Sequence, residues 1–174
     1  MKYLKGFLVA VFIGILIQMK HYNVLFQTYG VSQSLDMLFG YTAVDVYMAL
    51  EILGNSGRMI LLHYFFIDYI FIFIYGAIQL ALIKWVTGEK LKRTNLRFLT
   101  VIPYVRGACD IMENAFFIFV VIQMPNKHPV LISFMSYVTQ IKIIANIGWI
   151  LALVMVYIIR MIINIRNRKE RIIK

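Results

Sequence analysis

The chain has one cysteine, Cys109. No intrachain disulfide can form, and there is no zinc-finger spacing to read. Its position inside an apolar run marks it as a small packing residue. Charge is also scarce. Charged residues make up 15% of the 174, where a soluble domain carries about 25%. No small-x-small cleavage site follows the apolar amino-terminal run, so that run reads as a retained first span rather than a removable signal. Internal repeats and low-complexity tracts are absent. No Ser/His/Asp or Cys/His arrangement for nucleophilic catalysis can be defended.

What is present is apolar surface. Hydrophobic residues make up 61% of the chain and are grouped in runs long enough to cross a bilayer. The expected fold class is therefore all-α: a polytopic, four-transmembrane-helix bundle in one domain. The spans fall at about 6–20, 59–83, 98–123 and 130–159. Residues 21–57 form an outer segment, 84–97 a basic loop and 160–174 a basic tail. Within the outer segment, Thr42-x-x-Asp45 has the form of a capping box. It opens a short interfacial helix that Gly54 stops, predicted to lie over the mouth of the bundle. Gly6 and Gly14 offer places where a second helix can approach the first. Pro103 and Gly107, one turn apart, invite a bend or a close approach in the third span.

The formal net charge is +10, but the basic residues sit beside the apolar runs. They read as topology signals and headgroup contacts, and no nucleic-acid partner is expected. Lys2, Lys5, the loop and the tail together hold thirteen Lys or Arg. The opposite side has Lys20, Lys127 and Arg58 at a span edge. Positive-inside then puts both termini in the cytoplasm of a multi-pass cell-membrane protein, as an even number of spans also requires.

Against this background the third span is unusual. Arg106, Asp110, Glu113 and Asn114 fall at i, i+4, i+7 and i+8, and so share one helical face. The second span carries Tyr64, Asp68, Tyr75 and Gln79 at helical spacing, with His63 nearer its outer end. The fourth carries Ser136, Thr139, Lys142, Asn146 and Trp149. At a rise of about 1.5 Å per residue, Asp110 and Lys142 are level near the midplane. Asp68 and Glu113 lie roughly 4–5 Å outward, and Arg106 and Asn146 about 6 Å inward. One charge at mid-span costs roughly 2.5–3.5 kcal/mol on insertion scales. Five of them must therefore face one another, and their residual negative charge suggests a bound proton or a cation.

Intramembrane ionisable groups tend to line substrate or ion paths, so the leading reading is a buried cavity that binds or acts on a lipid or small amphiphile. In an enzyme, Asp68, Asp110 and Glu113 supply acid and base roles. Lys142 or Arg106 stabilises an anion. Arg58, His63, Tyr64, Tyr75, Asn114, Asn146 and Trp149 complete the candidate set. No metal and no other cofactor is expected, since Asp110-x-x-Glu113 lacks the Glu-x-x-His form of a di-iron bundle. The competing readings are a proton- or ion-coupled carrier working as a homo-oligomer, and an accessory protein whose charges only fix helix packing.

Several of these residues fall in an ordered pattern: Leu53-Gly-Asn-Ser-Gly-Arg58, Tyr64, Asp68, Tyr75-Gly76, Arg106-Gly-Ala-Cys-Asp110 and Glu113-Asn114, preceded by Asp36 and Gly40-Tyr-Thr42. The pattern resembles a widespread group of small four-span membrane proteins over most of residues 30–120. That group usually has a proline after an aromatic where this chain has Phe71-Ile72, so no kink is implied there. The resemblance implies the architecture and the choice of residues, and no reaction. At the level of fold alone, the buried acids are also similar to those of sterol isomerases and sigma-2-type receptors of the EXPERA group. In that comparison His63 and Asn146-Ile-Gly-Trp149 play the parts of the histidine and Asn-x-x-Trp pair. The spacing from His63 to Asp68 differs from that group's.

Overall fold

A computed structural model describes residues 2–32, 34–88 and 95–172, with side chains for 10–32, 34–88, 98–162 and 165. The centre of the basic loop, the end of the tail and the side chains of Lys2, Lys5 and most tail residues lie outside this description. The described residues form four α-helices and no strand: α1 (Lys2–Thr28), α2 (Ala43–Thr87), α3 (Val101–Gln123) and α4 (Pro129–Ile172). Short 3-10 turns occupy Leu35–Met37 and Asn95–Thr100. α2, α3 and α4 each pack against the other two, while α1 lies along α2.

Local chemistry accounts for most helix ends. The Val31 N–H donates to Phe26 O and the Gly30 N–H to Gln27 O, both at 3.0 Å. Gly30 has φ +88°, so α1 closes in a Schellman turn. It runs eight residues beyond the end expected at residue 20, because no breaker occurs before Gly30. The predicted capping box at the start of α2 is present. Thr42 accepts from the Asp45 N–H and its own N–H donates to the Asp45 carboxylate. Gly54, at φ +60° and ψ −169°, breaks α2 into an outer arm (43–53) and a long arm (55–87). Pro103 falls in the first turn of α3, where a proline removes no helical bond, so the helix runs unbroken to Gln123. Pro129 opens α4, with its φ already set for a helix.

Two apolar clusters lie at opposite ends of the bundle. The outer one is rich in aromatics. Phe65 stacks on Phe117 at 5.3 Å, and Phe26 meets Tyr64 edge-on at 5.7 Å. The inner one is built from Ile83, Leu99 and Trp149. Nearby, Arg160 donates to the last carbonyls of α2, Trp85 O at 2.7 Å and Val86 O at 2.9 Å, and so ties α4 to that end. The polar residues lie between the two clusters.

Of the four expected spans, two are carried by helices long and apolar enough to cross a membrane among the described residues: α2 and residues Pro129–Ile162 of α4. α3 is not a third, because Arg106, Asp110 and Glu113 interrupt its 23 residues. For α1 the side chains before residue 10 are not described. The close helix approach expected at Gly14 is not made, as nothing comes within 4 Å of where a Cβ would stand. Gly6 is outside the described side chains. At Gly107 the nearest atom is Ile72 Cγ2 at 3.7 Å, an ordinary contact.

Candidate functional site

The face of α3 predicted from spacing is buried as a unit: Arg106, Asp110, Glu113 and Asn114 are each 6% exposed or less. Lys142 of α4 reaches across to them. Its Nζ lies 2.5 Å from Glu113 Oε2, 3.2 Å from Asp110 Oδ1 and 3.0 Å from the backbone oxygen of Asp36. All three ammonium protons therefore have acceptors. Arg106 pairs with Asp110 one turn along the same helix, and its guanidinium lies 4.5 Å from the centre of the Tyr75 ring. From α2, Asp68 accepts from Asn114 Nδ2 at 2.7 Å. The Tyr75 hydroxyl and Gln79 Nε2 donate to Asn146 Oδ1 at 3.0 and 3.3 Å. Spacing on three separate helices thus named residues of one polar layer, in which Asp68 and Asn114 pair with each other and the rest gather about Lys142, Arg106 and Asn146.

Two further members, Asp36 and Tyr41, come from outside the helical periodicity. Asp36, on the 3-10 turn of the outer segment, is buried. Its carboxylate accepts from Ser34 and from the Tyr64 hydroxyl at 3.0 Å. Sequence reasoning placed Asp36 on the outer side, within the resemblance pattern, but not among the site residues. A residue in an irregular turn has no face that spacing can assign. Thr139, already part of the α4 stripe, donates to Glu113. The Tyr41 hydroxyl lies 3.0 Å from Thr139 Oγ1 and 3.5 Å from Glu113 Oε1. Burial, reinforced by the nearby Glu113, raises the pKa of the Tyr41 hydroxyl, so it stays protonated. The outer segment therefore inserts two side chains, Asp36 and Tyr41, into the layer.

Three candidates lie elsewhere. His63 is exposed on the outside of α2. Arg58 donates through Nε to Leu50 O at 2.8 Å and so caps the carboxyl end of the outer arm. Trp149 is buried in the inner apolar cluster, away from the carboxylates. Trp149 shares the α4 stripe but lies at its far end; His63 is next to buried Tyr64 but points off the exposed side of α2, and Arg58 turns back to the outer arm.

A cavity of about 460 Å³ opens beside the layer. Asp36, Asp68, Arg106, Asp110, Lys142, Tyr75 and Asn146 form its polar wall. Leu16, Met19 and Phe71, with Ile143 and Ile147 of α4, form its apolar wall, and Lys20 and Asn23 of α1 also border it. Its exposed lining residues are Leu16 and Lys20 of α1, Met37 of the 3-10 turn and Ile147 of α4. This volume is within the usual range for small-molecule sites, roughly 300–1,000 Å³. No three His, Cys, Asp or Glu side chains among the described residues could hold a metal ion; Asp110 and Glu113 turn to Lys142, and Asp68 to Asn114.

No family model, curated protein or solved structure matches the chain.

Proposed function

We propose that the protein crosses a membrane with all four helices and binds, or acts on, a lipid or small amphiphile within the bilayer. In this reading both termini face the cytoplasm and the outer arm of α2 lies at the opposite surface. The likeness to small four-span proteins belongs to the same proposal.

Two observations support the membrane setting. The apolar windows of α2 and α4 are only 22% and 6% buried in the bundle, whereas the core helix of a soluble protein hides most of such a stretch. Large side chains such as Phe66, Phe73, Ile144 and Leu151 are 58–68% exposed, while the charges are turned inward. Water disfavours that arrangement and lipid favours it.

The observation that carries the functional reading is the cavity. A network that served only to fix packing would be solid. Here the charged layer borders an opening whose other wall is apolar, with residues of α1 and α4 at its rim. An amphiphile moving sideways from the bilayer can place its chain against Leu16, Met19, Ile143 and Ile147 and its head against Asp68 and Arg106. The test is photo-cross-linking in liposomes with an amphiphile carrying a diazirine in its chain. Labelling should concentrate on peptides covering residues 16–23 and 143–147. Labelling spread evenly over the exposed faces of α2 and α4 would sink the reading.

A further inference from the structure

Resting on that reading, we infer that the head of the guest is uncharged and both donates and accepts hydrogen bonds, as a hydroxyl or primary amide does. The inference comes from which polar groups around the cavity remain open.

Of the cations Lys142 and Arg106, only Arg106 keeps open donors. Lys142 has three protein acceptors. Arg106 is paired with Asp110 through Nη2 and faces Tyr75. However, its Nε is buried without a partner, in a residue 4% exposed. Buried N–H groups are rarely left so. Its Nη1 also has no hydrogen-bond partner among the described residues and is not sealed off in this way, and Arg106 lines the cavity, so a guest at Arg106 must present an acceptor.

Asp68 makes the opposite demand. One of its oxygens accepts from Asn114. The other has no hydrogen-bond partner among the described residues, although Asp68 is 5% exposed and lines the cavity. A guest at Asp68 must present a donor.

Charge separates the candidate heads. Four buried carboxylates, Asp36, Asp68, Asp110 and Glu113, face buried Arg106 and largely buried Lys142, with the exposed Lys20 at the rim, so the carboxylates remain in excess. A phosphate satisfies Arg106 but brings at least one full negative charge against that carboxylate excess. An ammonium satisfies Asp68 but leaves Arg106 Nε unpaired beside a second positive charge. A hydroxyl or amide meets both demands and brings no charge into a low-dielectric site, where an unpaired charge is costly.

The test is competition against the photoactivatable amphiphile, using the full chain in liposomes and four unlabelled compounds with the same oleoyl chain. Monooleoylglycerol and oleamide should suppress labelling of residues 16–23 and 143–147 at concentrations at least about tenfold lower than oleyl phosphate or oleylamine. Asp68→Asn, which removes the charge but keeps the shape, should narrow the gap to oleyl phosphate and widen the gap to oleylamine. If the phosphate or the amine competes best, the head assignment falls while the cavity stands as a binding site. If no compound competes better on wild type than on Ile147→Trp, whose larger side chain fills the mouth, both the assignment and the binding reading fall.

Discussion

Lys142 holds the site together. Its ammonium is the shared partner of Asp110 and Glu113, and Glu113 is fully buried. Removing one partner of a buried ion pair leaves the other uncompensated, at a cost of roughly 3–5 kcal/mol. Lys142→Met should therefore lower the thermal midpoint of the detergent-solubilised protein sharply. The double change Lys142→Met with Glu113→Gln should recover part of the loss, because it removes a stranded carboxylate as well. Equal midpoints for single and double variants would show that the pair is not the source of the effect. The polar residues of α2, α3 and α4 were legible beforehand because a helix converts spacing into a shared face. Asp36 and Tyr41 were not, since they enter from an irregular segment whose path depends on tertiary packing. Arg58 is the converse case. It looked like a member of the cluster, but a guanidinium is long enough to turn back and cap the helix preceding it.

At the scale of elements, the outer arm of α2 has the most local determinants. Its start was readable from Thr42 and Asp45, and its end from Gly54. Gly54 occupies a backbone region open essentially to glycine alone, and a Cβ there would meet nothing within 4 Å. Gly54→Ala should therefore destabilise by about 1–3 kcal/mol through backbone strain alone. Gly76→Ala, in the helix interior and equally free of neighbours, should be neutral or slightly stabilising. Thermal midpoints of the two variants make the comparison. At the other end of the arm, the Thr42 N–H and hydroxyl hold the Asp45 carboxyl below its ordinary pKa. A depressed folded-state value means the contribution is fully present above the unfolded pKa of about 3.9 and is lost as pH falls through the lower folded value. The midpoint difference between wild type and Asp45→Asn should stay constant from pH 8 to about 5 and close below about 4. The arm is also fastened to the α3–α4 turn, where the His128 N–H donates to the Tyr47 hydroxyl and Lys127 pairs with Glu51 at 3.2 Å. Neither contact could be read from sequence, because it joins residues about 80 positions apart.

At the scale of the whole molecule, the four-helix, all-α bundle was legible from the apolar runs, though the helices are longer than the runs that announced them. α1 continues into the outer segment, and α4 continues through most of the basic tail to Ile172. Hydrophobicity marks where lipid can lie, but a helix ends only where a breaker or a cap ends it. The cavity was not legible, because it depends on α1 keeping its main contacts with α2 and standing apart from α4. If all four helices cross the membrane, Lys127→Cys in a Cys109→Ala background should be labelled in intact cells by an impermeant maleimide. A reporter fused to the carboxyl terminus should be active only in the cytoplasm. A protected position 127, or an external reporter, would contradict the orientation.

The claim on which the functional reading depends is that the cavity rimmed by α1 and α4 holds a bilayer amphiphile. Native mass spectrometry of the protein released from nanodiscs tests it most directly, with wild type compared against Ile147→Trp, a change at a half-exposed position on the cavity rim. Wild type should carry an adduct of amphiphile mass at one per chain, and the variant should lose it while still unfolding in one cooperative thermal transition. An adduct retained equally by both proteins, or found in neither, would contradict the claim.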